Sequence, residues 1–152
     1  MIVSLFAALL IQAAPAASCT AVAPPPAGLE AWSATPAAKT IAIGAPAALT
    51  LSPAAGYSFA ATPDRPPAAG TFAIDAAFPV AVAGTYRVAL GGGAWIDMIR
   101  DGKVIASVAH TEGPACSGIR KIVDFPLTPG NYTVQLTGAK SATLTVLVAP
   151  AK

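Results

Sequence analysis

The chain is short of the residues from which most active sites are built. It has one histidine, His110, and two cysteines, and only 11% of its 152 residues are charged. A single imidazole excludes metal centres that require two or more. The acidic residues are scattered and form no Asp-x-Asp-x-Asp loop for calcium. The nine Lys and Arg residues are also scattered, with no run that neutralises successive phosphates, so nucleic acid is not an expected partner. Gly91-Gly92-Gly93 lacks the Lys-Ser/Thr that follows a phosphate loop. Ser117 lies between Cys116 and Gly118 rather than in a Gly-x-Ser-x-Gly elbow. No complete catalytic site, catalytic metal or cofactor is expected.

What is present begins with an apolar run, Ile2 to Ile11, followed by Ala13-Ala14-Pro15-Ala16-Ala17-Ser18. A short apolar stretch leading into small residues reads as an export signal over residues 1–18, although only the amino terminus supplies its positive charge. It is too short to span a bilayer, and no membrane span is expected after its removal. The destination is periplasmic or secreted. There the two cysteines are expected to pair, Cys19 with Cys116, closing a loop of about 100 residues worth up to ~4–5 kcal/mol in the chain-entropy description. The alternative is a lipoprotein anchored at Cys19. Residues 19–38, with Pro24-Pro25-Pro26, form a strap or linker. Its one large apolar residue, Trp32, either anchors the strap or offers a stacking platform.

Residues 39–150 carry short alternating or apolar segments separated by Gly, Pro and Asp, which predicts an all-β fold: an antiparallel, Greek-key or jelly-roll-like β-sandwich. Predicted strands are Thr40–Ile43, Ala48–Ser52, Tyr57–Ala60, Thr71–Phe78, Thr85–Leu90, Ala94–Arg100, Lys103–Ala109, Ile119–Phe125, Tyr132–Thr137 and Ala142–Val148. Asp101-Gly102 predicts a two-residue hairpin turn, because both types tolerate positive φ. One plan occurs twice: Phe78-Pro79 leads to Gly84-Thr85-Tyr86-Arg87-Val88-Ala89-Leu90, and Phe125-Pro126 leads to Gly130-Asn131-Tyr132-Thr133-Val134-Gln135-Leu136. In each copy Tyr, Val and Leu share one face. Leu127-Thr128-Pro129-Gly130-Asn131-Tyr132 has the form of a tyrosine corner.

From Phe78 to Val148 the sequence resembles the small β-sandwich modules appended to secreted bacterial hydrolases, such as pre-peptidase C-terminal domains. Through Ala94-Trp95-Ile96-Asp97, Ser107-Val108-Ala109-His110 and Pro114-Ala115-Cys116-Ser117-Gly118-Ile119-Arg120-Lys121 it is similar to a group of short exported bacterial proteins, some labelled homogentisate 1,2-dioxygenase. That label implies iron held by two His and a Glu. With one His here, no metal ligand is carried over.

The candidate ligand-binding residues are Trp95, Asp97, His110 and Glu112. His-x-Glu offers two ligands of a cupin-like centre, or else a polar loop before the Gly113–Gly118 turn. Cys116 near His110 reads as a nucleophile or as half of the bridge. Asp97 falls on the face of Trp95 and Ile99, where an unpaired carboxylate is expensive, so Arg120 or Lys121 is its expected partner. Trp95 is a core residue or a surface for a sugar ring. These readings lead to an exported, non-catalytic binding or structural module acting on an envelope protein, a glycan or a small molecule. The rivals are a small metal-dependent dioxygenase and a glycan-binding module that displays Trp32, Trp95, Tyr57 and Tyr86 on one exposed face. The mature protein is expected to begin at Ala17 or Cys19, since both cuts follow small residues and avoid Pro15. Intact-mass measurement of exported protein checks this; retained Met1, or a diacylglycerol mass on Cys19, contradicts it.

Overall fold

Tyr132, Val134 and Leu136 alternate with Thr133, Gln135 and Thr137, and this period of two sends the first set into the space between two sheets. The computed structural model describes residues 18–152, so the expected export signal, apart from Ser18, lies outside the described residues. Ten strands follow: β1 (Ala47–Thr50), β2 (Ser52–Pro53), β3 (Phe72–Val80), β4 (Gly84–Leu90), β5 (Trp95–Arg100), β6 (Lys103–Ile105), β7 (Ala109–Thr111), β8 (Lys121–Leu127), β9 (Gly130–Ala139) and β10 (Thr143–Pro150). The first sheet has the order β1-β10-β4-β8-β7 and the second β2-β3-β9-β5-β6, with every strand pair antiparallel. No helix among the described residues is long and apolar enough to cross a membrane.

The pairings are nested. β5 pairs with β6, β4 with β8, β3 with β9 and β1 with β10, as in one long antiparallel ribbon whose tip is the turn between β5 and β6. The ribbon coils into two sheets through the further pairings of β4 with β10 and β5 with β9. This is a jelly-roll sandwich, with β2 and β7 as short edge additions. At the tip, Asp101 and Gly102 have φ of 50° and 71°, the conformation expected of this dipeptide.

The repeated segments occupy β3–β4 and β8–β9 and lie against each other in reciprocal register. Phe78 faces Tyr132 and Tyr86 faces Phe125; Pro79 faces Asn131 and Thr85 faces Pro126. The two copies are thus related by a local pseudo-twofold axis. Both tyrosines donate to the carbonyl four residues earlier, Tyr86 to Val82 at 2.7 Å and Tyr132 to Thr128 at 3.0 Å. Each Pro lies where its strand has lost an outer neighbour, because β2 pairs only as far as Ala73 and β7 only as far as Asp124. A missing N–H costs nothing there.

Three predicted strands are corrected. Thr40–Ile43 forms a turn around a single Ala42–Ala45 bridge, and only Ile41 is fully buried. Tyr57–Ala60 alternates but pairs with no other strand and belongs to the β2–β3 loop. Lys103–Ala109 breaks after Ile105, where the chain crosses from the second sheet to the first.

Both outer sheet faces are covered. Residues 19–38 lie on the first sheet, where Leu29, Ile119, Ala89, Ile122, Leu147 and Ala149 make a second apolar cluster with Trp32 packed against it. The Cys19–Cys116 disulfide, with Cα atoms 5.6 Å apart, ties this strap down. Ala23 N–H donates to the Cys116 carbonyl at 2.9 Å, and Arg87 donates to the Ala27 carbonyl at 2.8 Å. The second sheet is covered by the loop between β2 and β3, whose ends meet through Ala54 N–H and the Thr71 carbonyl at 2.9 Å.

The two corners are not equally bonded. The Tyr132 hydroxyl also accepts from Thr128 N–H and from Arg100 Nη1, each at 3.0 Å, whereas Tyr86 makes one bond. Tyr86→Phe is therefore expected to cost about 1 kcal/mol and Tyr132→Phe about 2 kcal/mol in urea unfolding. Equal losses would show that the additional bonds do not contribute.

Candidate functional site

Across the outer face of the second sheet, register aligns Asp75 of β3 with Gln135 of β9 and Gln135 with Asp97 of β5. Asp97 and Gln135 are buried. The row exists because this face is roofed by the β2–β3 loop, whose backbone it satisfies. Ala60 N–H donates to Asp75 Oδ2 at 2.7 Å, Ala61 N–H donates to Gln135 Oε1 at 3.1 Å, and Asp75 N–H donates to the Tyr57 hydroxyl at 2.9 Å. Burial raises the Asp75 carboxyl above its ordinary range, opposed by the Ala60 bond.

The expected partner of Asp97 is corrected by this arrangement. Its Oδ1 accepts from Trp95 Nε1 at 2.9 Å and its Oδ2 faces Gln135 Nε2 at 3.4 Å. Arg120 instead reaches Glu112 at 2.8 Å, and Lys121 reaches the Ala94 carbonyl at 3.3 Å. The physical reason is register: Trp95, two residues before Asp97, shares its face, and Gln135 is its direct cross-strand neighbour. Asp97 thereby fixes the plane of the Trp95 ring.

Trp95 lines a cleft of about 730 Å³ at one end of the sandwich. Its walls come from the β4–β5 corner, the start of β8, the β9–β10 hairpin and the end of the β2–β3 loop. These bring together four cations, Arg65, Arg120, Lys121 and Lys140, and no Asp or Glu. Arg65 Cζ lies 4.8 Å and Lys121 Nζ 5.1 Å from the centre of the Trp95 ring, within cation–π range. Among the described residues, Arg65, Lys121 and Lys140 have no carboxylate within ion-pairing distance. Burial lowers the Lys121 pKa, and the nearby Arg65 charge lowers it further. Thr137, also in the lining, has a buried hydroxyl with no hydrogen-bond partner.

The corner must be small to leave this space. A Cβ on Gly92 would come within 2.9 Å of Leu144 Cδ1, whereas one on Gly93 would meet nothing and would project into open space. Trp32 of the strap packs behind the same corner, its ring 3.5 Å from the position of a Cβ on Gly91. Trp32 is thus a strap anchor that also backs the cleft wall.

His110 and Glu112 stand at the exposed edge formed by β7 and line a second recess of about 300 Å³. This recess shares Gly93, Ala94, Arg120 and Lys121 with the Trp95 cleft. Three of the four candidate residues therefore border two adjoining depressions, and Asp97 supports the Trp95 side through its bond to the indole. The iron ligand set implied by the dioxygenase label does not fit: the second His does not exist, and Glu112 is engaged by Arg120. Among the described residues no group of three or more His, Cys, Asp or Glu is placed to hold a metal. Cys116 is bridged, which removes its thiol as a nucleophile, and Cys19 has no thiol left for a lipid.

No family model, curated protein or solved structure matches the chain. The four aromatics do not share one exposed face. Tyr86 is in the core, Trp32 packs from the strap onto the second apolar cluster, Tyr57 supports Asp75 from the loop, and Trp95 alone of the four lines the cleft. No local pattern marks Arg65, Lys140 or Gln135: Arg65 and Gln135 meet residues distant along the chain, and Lys140 joins the cleft only through the closing of the β9–β10 hairpin on it.

Gln135→Leu removes the partner of both Asp97 and Ala61 N–H. Unsatisfied buried groups cost about 1–3 kcal/mol each, so a loss of about 2–4 kcal/mol is expected. Amide exchange at Ala61 should accelerate well beyond that of the core strands. A variant with wild-type stability and a protected Ala61 would refute the role of the row.

Proposed function

We propose that this chain is an exported, non-catalytic binding module whose ligand is an anion seated in the Trp95 cleft. The observation that carries this reading is the gathering there of Arg65, Lys121 and Lys140 without carboxylate partners. Charge on Lys121 is opposed both by burial and by Arg65, and an anion between them offsets both penalties. Trp95, oriented by Asp97, gives the ligand a rigid apolar surface at small entropic cost. The lining hydroxyls, Thr71, Thr137 and Ser141, have no His or carboxylate beside them in the cleft to act as a base. This favours binding over catalysis.

The disulfide supports residence outside the reducing cytoplasm. The leader-like first segment extends this reading to a periplasmic or secreted protein. The resemblance to modules carried by secreted hydrolases belongs to the same proposal, since such modules fold as small sandwiches and act without a catalytic centre of their own.

The test is titration of the mature protein with citrate and with inorganic sulfate, followed by tryptophan emission and by melting temperature. Binding is expected to perturb the emission and to raise the melting temperature, with affinity falling as salt rises. Lys121→Met should weaken binding about tenfold, equivalent to ~1.4 kcal/mol, without lowering the stability of the free protein. Unchanged affinity in Lys121→Met and Arg65→Ala would refute the site.

A further inference from the structure

Resting on the anion-binding reading, we propose that the ligand is an acidic heteropolysaccharide, with a uronic acid unit in the Trp95 cleft and a neutral neighbouring sugar in the His110 recess. The two depressions adjoin, because Gly93, Ala94, Arg120 and Lys121 line both. Side by side they offer more room, about 730 and 300 Å³, than a single small anion needs.

The charge states of the two halves differ. In the Trp95 cleft Arg65, Lys121 and Lys140 are unpaired cations, which suits a carboxylate. In the recess Glu112 neutralises Arg120 at 2.8 Å, and His110 and Thr111 stand beside the pair. A matched ion pair with an imidazole and a hydroxyl has donors and acceptors, and the one unpaired cation is Lys121 at the border shared with the cleft, so the recess suits sugar hydroxyls. The cations come from separate elements: Arg65 and Lys121 both lie against the Trp95 ring, and Lys140 joins them from the β9–β10 hairpin. Pro66, Pro67 and the Trp95 ring add flat apolar surface for the C–H face of a sugar ring. Gly93 keeps the junction between the halves open.

Other polyanions fit less well. A single-stranded nucleic acid stacks successive bases on successive aromatics, whereas Trp95 is the one aromatic in this lining. A peptide docking on a β fold adds a strand along a free edge, whereas the Trp95 cleft crosses strand ends and corners.

The experiment compares four probes by calorimetry: glucuronic acid, a hyaluronan tetrasaccharide of alternating glucuronate and N-acetylglucosamine, a neutral chitin tetrasaccharide, and a short polyglutamate. The hyaluronan tetrasaccharide is expected to bind at least tenfold more tightly than glucuronic acid and than the chitin tetrasaccharide. His110→Ala should weaken the hyaluronan tetrasaccharide severalfold and leave glucuronic acid unchanged. Gly93→Glu places a carboxylate at the junction, where its Cβ meets no atom, and should abolish binding of both at an unchanged melting temperature. Equal affinities for the monosaccharide and the hyaluronan tetrasaccharide, unaltered by His110→Ala, would overturn the glycan inference and leave the anion site standing. Polyglutamate binding as tightly as the hyaluronan tetrasaccharide would overturn it in favour of an acidic peptide. Failure of every anionic probe would remove the anion-binding reading itself.

Discussion

Phe78 faces Tyr132 and Tyr86 faces Phe125, so each of the two aromatic corners is closed by the other. A corner is where a jelly roll passes its chain from one sheet to the other, and without a fixed corner the ribbon could slip in register. A slip of one residue would turn Val134 and Leu136 outward and bring Gln135 into the core. The tyrosine hydroxyls prevent this by tying each corner to backbone four residues away, while the rings fill the space between the sheets. The strand ends that carry the cleft inherit their positions from this pairing.

A chain rich in Ala and Gly has little side-chain area with which to fill a sandwich, and this one compensates with two outer covers. Each cover is held by a different kind of interaction. The strap rests on an apolar cluster and is fastened by a disulfide that spans 97 residues. The β2–β3 loop rests on a polar row, in which Asp75, Gln135 and Asp97 answer the loop's backbone and the Trp95 indole. The Trp95 cleft lies where the loop ends and the strap's Trp32 reaches the far side of the glycine corner. Covering the faces and shaping the site are therefore the same structural act.

Much of the fold is legible in the sequence because it is local or periodic. The period of two, the Asp101-Gly102 turn and the repeated Phe-Pro and Gly-x-Tyr segments each act over a few residues, and an even cysteine count identifies the bridge without geometry. The failures at Thr40–Ile43 and Tyr57–Ala60 have one cause: a short apolar stretch becomes a strand only if a partner strand is available, and these two have none. At the site, Trp95, His110 and Glu112 were recognisable as residue types with binding chemistry. Their meeting in two adjoining depressions was not.

By itself the sequence determined which residues face inward, where the ribbon turns and which thiols can pair, because these depend on backbone stereochemistry, alternation and compartment. Tertiary structure alone decided that Asp97 is held by Trp95 and Gln135 and not by Arg120 or Lys121. It also decided that Arg65, Lys121 and Lys140, from a loop, a strand and a hairpin, share one cleft without a carboxylate. The reason is that electrostatic neighbourhoods are set by distance in space. In a nested ribbon, residues far apart in the chain become neighbours only after both sheets and their covers have closed.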